Sequence, residues 1–427
     1  MNHRLHLHQH RGLVRHPDAG TTPRPGRRSA SVLTVMCLLG ANASAQDDEV
    51  VYNGPSSAAA RASSTPAPST SSSGRPVRNL LASPDTSGVI PDAGSSPYTA
   101  GVMVRSTRID LFQGRAVGSF GIPYTTARVQ DGNLSASGYS GSSRASATYP
   151  YRAVGKLNFS AGYCTASLIR RSVIVTAAHC IQPFGSGSAT FTNFRFVPGH
   201  YGASGSTSAQ QAPHGTWTWA AFMRPSSWSG GTDVGSGAAR DNDLAVIVLR
   251  RDSLGRFIGD ITGWFAYGWN NYGFASSSKT GNLNTAAMTT LGYPFLMDSG
   301  AIMQRTDGPT YTTTVGGSRQ LWQGSNFTGG SSGGPWVVNF RGRTATLAGG
   351  AVPGASSVMA VVGVTSWGSS DPNAPKDNYS SQFGQNSRYP NASYGVYGAG
   401  NIGSLLNSVC NATAPEGGTF ASRGYCN

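Results

Sequence analysis

Lysine is nearly missing from this chain, with Lys156, Lys279 and Lys376 the only three in 427 residues. The arginines that carry the remaining positive charge are scattered and form no cluster interleaved with aromatics, which argues against a nucleic-acid-binding face. Residues 1–45 hold six arginines and one aspartate, so the formal charge of +14 becomes +9 without them, a balance that serves solubility or weak attraction to acidic surfaces. Long apolar runs are lacking too. The uncharged stretch 344–370 is broken by Gly349, Gly350, Pro353 and Gly354 into two expected strands and a turn. Val32 to Ala45 is too short to span a bilayer core of about 30 Å and is followed at once by Gln46-Asp47-Asp48-Glu49. Cysteine is sparse, and no Cys-x-x-Cys or His-x-x-x-His spacing supports a zinc site. No metal or organic cofactor is expected.

What is present organises the chain. The short apolar run lies behind Arg27 and Arg28 and ends in Ala43-Ser44-Ala45, a small-x-small cleavage signature, so residues 1–45 read as a secretory signal peptide with an extended basic start. Removing it removes Cys37 and leaves Cys164, Cys180, Cys410 and Cys426, which permit three pairings. The sequence-local pairing, Cys164 with Cys180 and Cys410 with Cys426, is the simplest in an oxidising compartment. Residues 54–74 are Ser, Ala, Pro and Thr with almost nothing to bury, and 79–118 offers only brief apolar pieces; 46–120 is therefore expected to be a disordered linker and pro-region.

From residue 121 to 427 the pattern is short β-branched and apolar runs separated by Gly, Ser, Asn and Pro, as in an all-β barrel or sandwich. Helical periodicity is almost absent. Expected strands include 153–159, 167–175, 244–249, 336–340 and 358–367, and a capped apolar pattern predicts one short helix over 401–409.

Gly330-Ser331-Ser332-Gly333-Gly334-Pro335 is the strongest local signal. Acyl transfer needs a nucleophile whose own backbone N–H, and that of a near neighbour, can point at an oxyanion, and flanking glycines permit the close approach. The same residues satisfy Gly-x-Ser-x-Gly, the motif of the α/β-hydrolases, but that fold requires a histidine after the serine. None follows Ser332. The histidines beyond residue 45 are His179, His200 and His214. His179 stands in Thr176-Ala177-Ala178-His179-Cys180 directly after an apolar strand, framed by a half-cystine; His200 and His214 lie in Gly- and Pro-marked loops and read as bystanders. A base that takes the serine proton needs an acceptor to fix its tautomer, and Asp243 opens the apolar run Asp243-Leu244-Ala245-Val246-Ile247-Val248-Leu249. Asp241 lies two residues earlier and Asp131 has no supporting motif.

These three motifs, in this order, resemble the trypsin-like serine peptidases of the chymotrypsin fold, over roughly residues 121–427. Tyr149-Pro150-Tyr151-Arg152-Ala153-Val154-Gly155 and Leu291-Gly292-Tyr293-Pro294 resemble the bacterial branch that includes the glutamyl endopeptidases. The resemblance implies two antiparallel six-stranded β-barrels with a catalytic triad of His179, Asp243 and Ser332 in the cleft between them, and oxyanion donors at Gly330 and Ser332. It also implies a histidine-loop disulfide Cys164–Cys180 and a substrate-pairing strand Val364-Thr365-Ser366-Trp367-Gly368. Asn326, six residues before Ser332, would stand at the pocket base, where trypsin's acid is missing. Thr365 and Ser366 replace the histidine of the glutamyl enzymes, so an uncharged pocket walled by Trp367 and preferring uncharged residues is expected; the alternative is that Asp371, just beyond Gly368, reaches the pocket and restores a basic preference. Ser331 replaces the aspartate that pairs with the new N-terminus in animal relatives. The expected protein is a secreted, monomeric serine endopeptidase acting on protein or peptide substrates, with no membrane attachment after signal cleavage; a catalytically silent homologue serving as a binding module is the competing expectation.

Overall fold

The computed structural model describes residues 52–53, 125–129, 145–231, 239–269, 275–276, 284–315, 318–340, 359–368, 376–386, 389 and 392–427. The expected signal peptide, nearly all of the expected pro-region, the first of the two strands expected in 344–370, and Asp371 lie outside them.

Strands β3 (Val154–Phe159), β4 (Gly162–Arg170), β5 (Val173–Thr176), β6 (Arg195–Pro198), β7 (Trp217–Met223) and β8 (Ala245–Leu249) make the first barrel. They pair antiparallel in the order β3-β4-β5-β8-β7-β6, and β6 returns to β3, so no edge is left open. The second barrel closes in the same way from β11 (Asn284–Gly292), β12 (Gln304–Val315), β13 (Ser318–Gly324), β14 (Pro335–Val338), β15 (Ala360–Gly368) and β16 (Asp377–Gln382), in the order β11-β14-β15-β16-β13-β12-β11. The fold is thus all-β with two closed six-stranded antiparallel barrels. Short strands decorate them. The two-residue strand β1 (Tyr52–Asn53) pairs with β7, β2 (Thr125–Arg128) pairs with β12, β9 (Ala266–Tyr267) runs parallel to β15, and β10 (Ala275–Ser276) pairs with β11.

All residues of β5, β8 and β14 are buried, because both faces of these strands are covered. That is why they read as unbroken apolar runs instead of alternating ones. The run 167–175 is two strands, not one: β4 and β5 are joined by a turn at Arg171 and Ser172, whose backbone N–H groups donate to the carbonyls of Asn427 and Tyr425 at the end of the chain. Four short α-helices are described, α1 (Ser208–Gln211), α2 (Ser226–Gly230), α3 (Ile258–Thr262) and α4 (Gly400–Asn411). Helix α4 is the one expected near 401–409. It lies on β7 and β8, buries Ile402, Leu405, Leu406 and Val409, and is tied by the disulfide Cys410–Cys426. Asn401 anchors its start: Oδ1 accepts from the Gly384 and Ile402 N–H groups, while Nδ2 donates to the carbonyls of Gln382 and Asp241.

Candidate active site

The register of two strands brings the first pair of residues together. Thr176 at the end of β5 is opposite Ala245 at the start of β8. His179, in the 3-10 turn three residues past Thr176, and Asp243, two residues before Ala245, are therefore neighbours although 64 positions apart. His179 Nδ1 lies 2.7 Å from Asp243 Oδ2, and the His179 backbone N–H donates to Oδ1 at 2.8 Å. Because the carboxylate can only accept, Nδ1 carries the proton and Nε2 is left as the basic nitrogen. Asp243 is 2 % exposed and the imidazole 33 % exposed, so the acid is sealed and the ring faces the cleft. Burial by itself pushes the Asp243 carboxyl up; the neighbouring His179 charge, the His179 and Ser366 side-chain hydrogen bonds and the His179 backbone N–H together outweigh it and hold the pKa below the ordinary carboxylate value.

Ser332 sits in the turn before β14, and the turn is fastened to the first barrel through Thr165. The Thr165 N–H donates to Ser332 O at 2.8 Å and its hydroxyl donates to Gly330 O at 2.8 Å while accepting from the Tyr293 N–H. The Thr165 carbonyl accepts from the Thr176 hydroxyl at 2.9 Å, which ties the same residue to the strand that ends at the His179 turn. Gly330 and Gly333 have φ of +93° and +77°. A Cβ on Gly330 would meet the Tyr163 ring and the Tyr293 carbonyl, and one on Gly333 would fall on the Thr176 hydroxyl, so only glycine fits either place. Ser331 N–H and Oγ both bond the Thr328 carbonyl, whereas the backbone N–H groups of Gly330 and Ser332 donate to no acceptor among the described residues. His179 and Ser332 line one cleft of about 420 Å³. Cys164 of the disulfide Cys164–Cys180 lines it too, with the imidazole. The sulfurs are bonded to each other, so the cluster of Cys164, His179 and Cys180 has no thiolate to give a metal.

The expected pocket residues are placed differently from one another. Trp367 stacks on Tyr379 at 3.9 Å and donates from its indole to Gln320. The hydroxyls of Thr365 and Ser366, expected to face substrate, are engaged elsewhere: Thr365 Oγ1 accepts from the Trp336 indole at 3.0 Å and Ser366 Oγ donates to Asp243 Oδ2 at 2.5 Å. Asn326 Oδ1 accepts from the Thr126 hydroxyl of β2. Opposite Gly368 in the β15–β16 register stands Asn378, and a Cβ on Gly368 would fall on its amide nitrogen. Asn378 Nδ2 donates to Phe327 O at 3.1 Å, and its Oδ1 is buried without a partner. Sequence reasoning missed Thr165, Asn378 and the Ser366 role because each acts on a partner far along the chain. His200 and His214 stand outside this site, bonding the Gln211 and Ala147 carbonyls.

The chain is similar to several known proteins. The family model described as Trypsin matches residues 139–382, more than half of the chain. A glutamyl endopeptidase of Bacillus licheniformis is 29 % identical over 197 residues, which cover 46 % of this chain and 52 % of that protein, so the chain spans about half the length of this curated relative. Among solved structures, the protease Anisep from Arthrobacter nicotinovorans shares 23 % identity over 55 % of this chain and 91 % of its own, with a TM-score of 0.40. A Glu endopeptidase solved in complex with MPD shares 18 % over 56 % and 87 %, with a TM-score of 0.39. With two closed barrels and a family match over most of both, the chain belongs to the trypsin family of serine proteases.

Proposed function

We propose that this protein is a secreted serine endopeptidase that hydrolyses peptide bonds through an acyl-enzyme, with Ser332 as nucleophile, His179 as general base and Asp243 as its orienting acid. The observation that carries this is the doubly bonded His179–Asp243 pair opening on the same cleft as Ser332. His179 Nε2 takes the Ser332 proton as Oγ attacks the carbonyl carbon. The N–H groups of Gly330 and Ser332 receive the oxyanion. Collapse expels the amine, which takes its proton from His179, and water repeats the sequence to release the acid. The Asp243 carboxylate, kept ionised by its hydrogen bonds, stabilises the imidazolium that forms in each half. No cofactor is required for these steps. The two disulfides fit an oxidising, extracellular setting, and among the described residues no helix is long and apolar enough to cross a membrane. Residues 1–45 act as export signal and 46–120 as pro-region in this reading, with 121–427 as the monomeric peptidase.

The test is labelling by a serine-directed fluorophosphonate together with peptide turnover. Wild type is expected to label and Ser332→Ala not to. Ser332→Ala, His179→Ala and Asp243→Asn are each expected to lower kcat by about three orders of magnitude or more, with the Ser332→Ala/His179→Ala pair little worse than either alone, because the three act as a unit. Absence of labelling on correctly processed protein would favour a catalytically silent binding module.

A further inference from the structure

The cleft that holds His179 and Ser332 is walled on one side by aromatic rings that the chemistry does not use. Phe159 and Phe191 stack with centroids 5.0 Å apart, Tyr163 flanks the disulfide, and Phe295 stands 58 % exposed at the rim. Each ring is held by an element of the site. The Phe191 N–H donates to Ile181 O, one residue past Cys180, and the Phe295 N–H donates to Gly329 O at 2.7 Å. Tyr163 lies against Gly330, and the Lys156 ammonium sits 3.8 Å from its ring centroid while bonding the Gly300 carbonyl. No residue of β15 or β16 lines this space, and neither does Phe327; it is built from the first barrel and the rim of the nucleophile turn. Apart from His179, its lining carries no titratable side chain that is free to ionise at neutral pH.

We propose that this aromatic cleft is a binding site for the residue that follows the scissile bond, and that it selects a bulky apolar or aromatic side chain there. The inference rests on Ser332 being the nucleophile and His179 the base. The leaving amine receives its proton from His179, so the leaving half of the substrate must lie on the imidazole and disulfide side of Ser332. The cleft is on that side. Its rings offer apolar surface already exposed to water, so an apolar side chain gains by covering it without stranding a charge. The protein's positive balance disfavours a basic occupant, although rings of this kind attract cations in other settings.

The test forms the acyl-enzyme from a small activated ester that has no residue beyond the scissile bond, and lets amino-acid amides compete with water for it. In each capture the amine nitrogen attacks the acyl carbon, the acyl–Oγ bond breaks, and the amine proton passes through His179 back to Ser332. Phenylalanine amide and leucine amide are expected to capture the acyl group on the order of tenfold more effectively than glycine amide or arginine amide. Phe295→Ser, at an exposed position, and Phe191→Ala are each expected to reduce the phenylalanine-to-glycine capture ratio severalfold. That ratio is internal to one acyl-enzyme, so slower acylation or a smaller folded fraction does not alter it. Capture without discrimination, or preference for arginine amide, would overturn this inference while leaving the peptidase reading intact. If no acyl-enzyme forms on the ester, the peptidase reading falls and takes this inference with it.

Discussion

Asn378 shows how much a single side chain can decide. Because Phe327 O can only accept, the amide nitrogen must face it, and the orphaned atom is fixed as the carbonyl oxygen. A buried acceptor without a donor carries a penalty of about 1–3 kcal/mol, which a substrate side chain bearing an N–H would relieve. On the acyl side of the cut, glutamine is therefore expected to be preferred to glutamate by about tenfold or more, since the anion would meet an acceptor and leave its own charge unpaired. Asn378→Asp should turn the preference towards arginine and lysine. A peptide library read before and after the substitution checks both, and equal cleavage after glutamine and glutamate by the natural chain would show that Asn378 Oδ1 does not meet the substrate. This residue was not legible in the sequence. His179, Asp243 and Ser332 each stand in a local motif, framed by a half-cystine, an apolar run or glycines, whereas Asn378 and Ser366 acquire their roles from partners 51 and 123 positions away.

Elements place these residues by register. A shift in the β5–β8 pairing would carry Asp243 away from His179, and the continuous apolar sequences of those strands do not themselves specify the pairing. Hence the strands were legible as apolar runs, while the turn that splits 167–175 was not: its Arg171 and Ser172 look ordinary until the end of the chain supplies their hydrogen-bond partners. Helix α4 was legible through its apolar stripe, but not through its start: the N-cap is Ala399, which makes no side-chain bond, and Asn401 lies inside the first turn, where it ties the helix to Gln382 and Gly384. Between the barrels, Thr165 carries one of the links, as Ser366 does through Asp243. Thr165→Val keeps the shape but leaves the Gly330 carbonyl without its donor and the Tyr293 N–H without its acceptor. It is expected to lower kcat by about tenfold or more with KM little changed, because the lost bonds hold the Ser332 turn and not the substrate. A KM effect with kcat intact would contradict this. The disulfide Cys164–Cys180 restrains the neighbouring turn, and replacing both cysteines by alanine should cost about 3 kcal/mol of stability in a chemical denaturation experiment on the Ser332→Ala background, from the loop of 16 residues that it closes. An unchanged midpoint would show that the turn is held by packing alone.

At the scale of the whole molecule, the two barrels were legible only through the resemblance of three motifs, since strand order and closure depend on contacts that no local pattern encodes. The same long-range packing sets the response of the fold to acid. His214 is buried; its Nε2–H donates to Ala147 O at 2.9 Å, and its Nδ1 has no partner. Burial pulls its pKa down to about 4, with the Ala147 bond acting against that and the Arg152 charge adding to it. His200 is likewise lowered to about 4, by burial first and then by the Lys156 charge, against the Gln211 carbonyl bond. Both rings are thus neutral in the folded protein where the unfolded chain, with a histidine pKa of about 6.5, already binds protons. Above about pH 6.5 neither state is protonated and the full stability is present; as the pH falls towards 4 the unfolded chain takes up to two more protons and stability is lost in proportion. Asp243 acts in a lower window. Its folded pKa is depressed, so its contribution is present above the ordinary value of 3.8 and is lost only as pH drops through the folded value. Urea midpoints of the Ser332→Ala protein, used to exclude self-digestion under the proposed mechanism, are therefore expected to fall between pH 6.5 and 4 and then to fall again at lower pH. His214→Gln, which keeps an N–H for the Ala147 carbonyl and cannot be protonated, should flatten the upper slope by about one proton and leave the lower limb in place. A midpoint that stays level from pH 6.5 to 4 would show that these histidines titrate as freely in the fold as out of it.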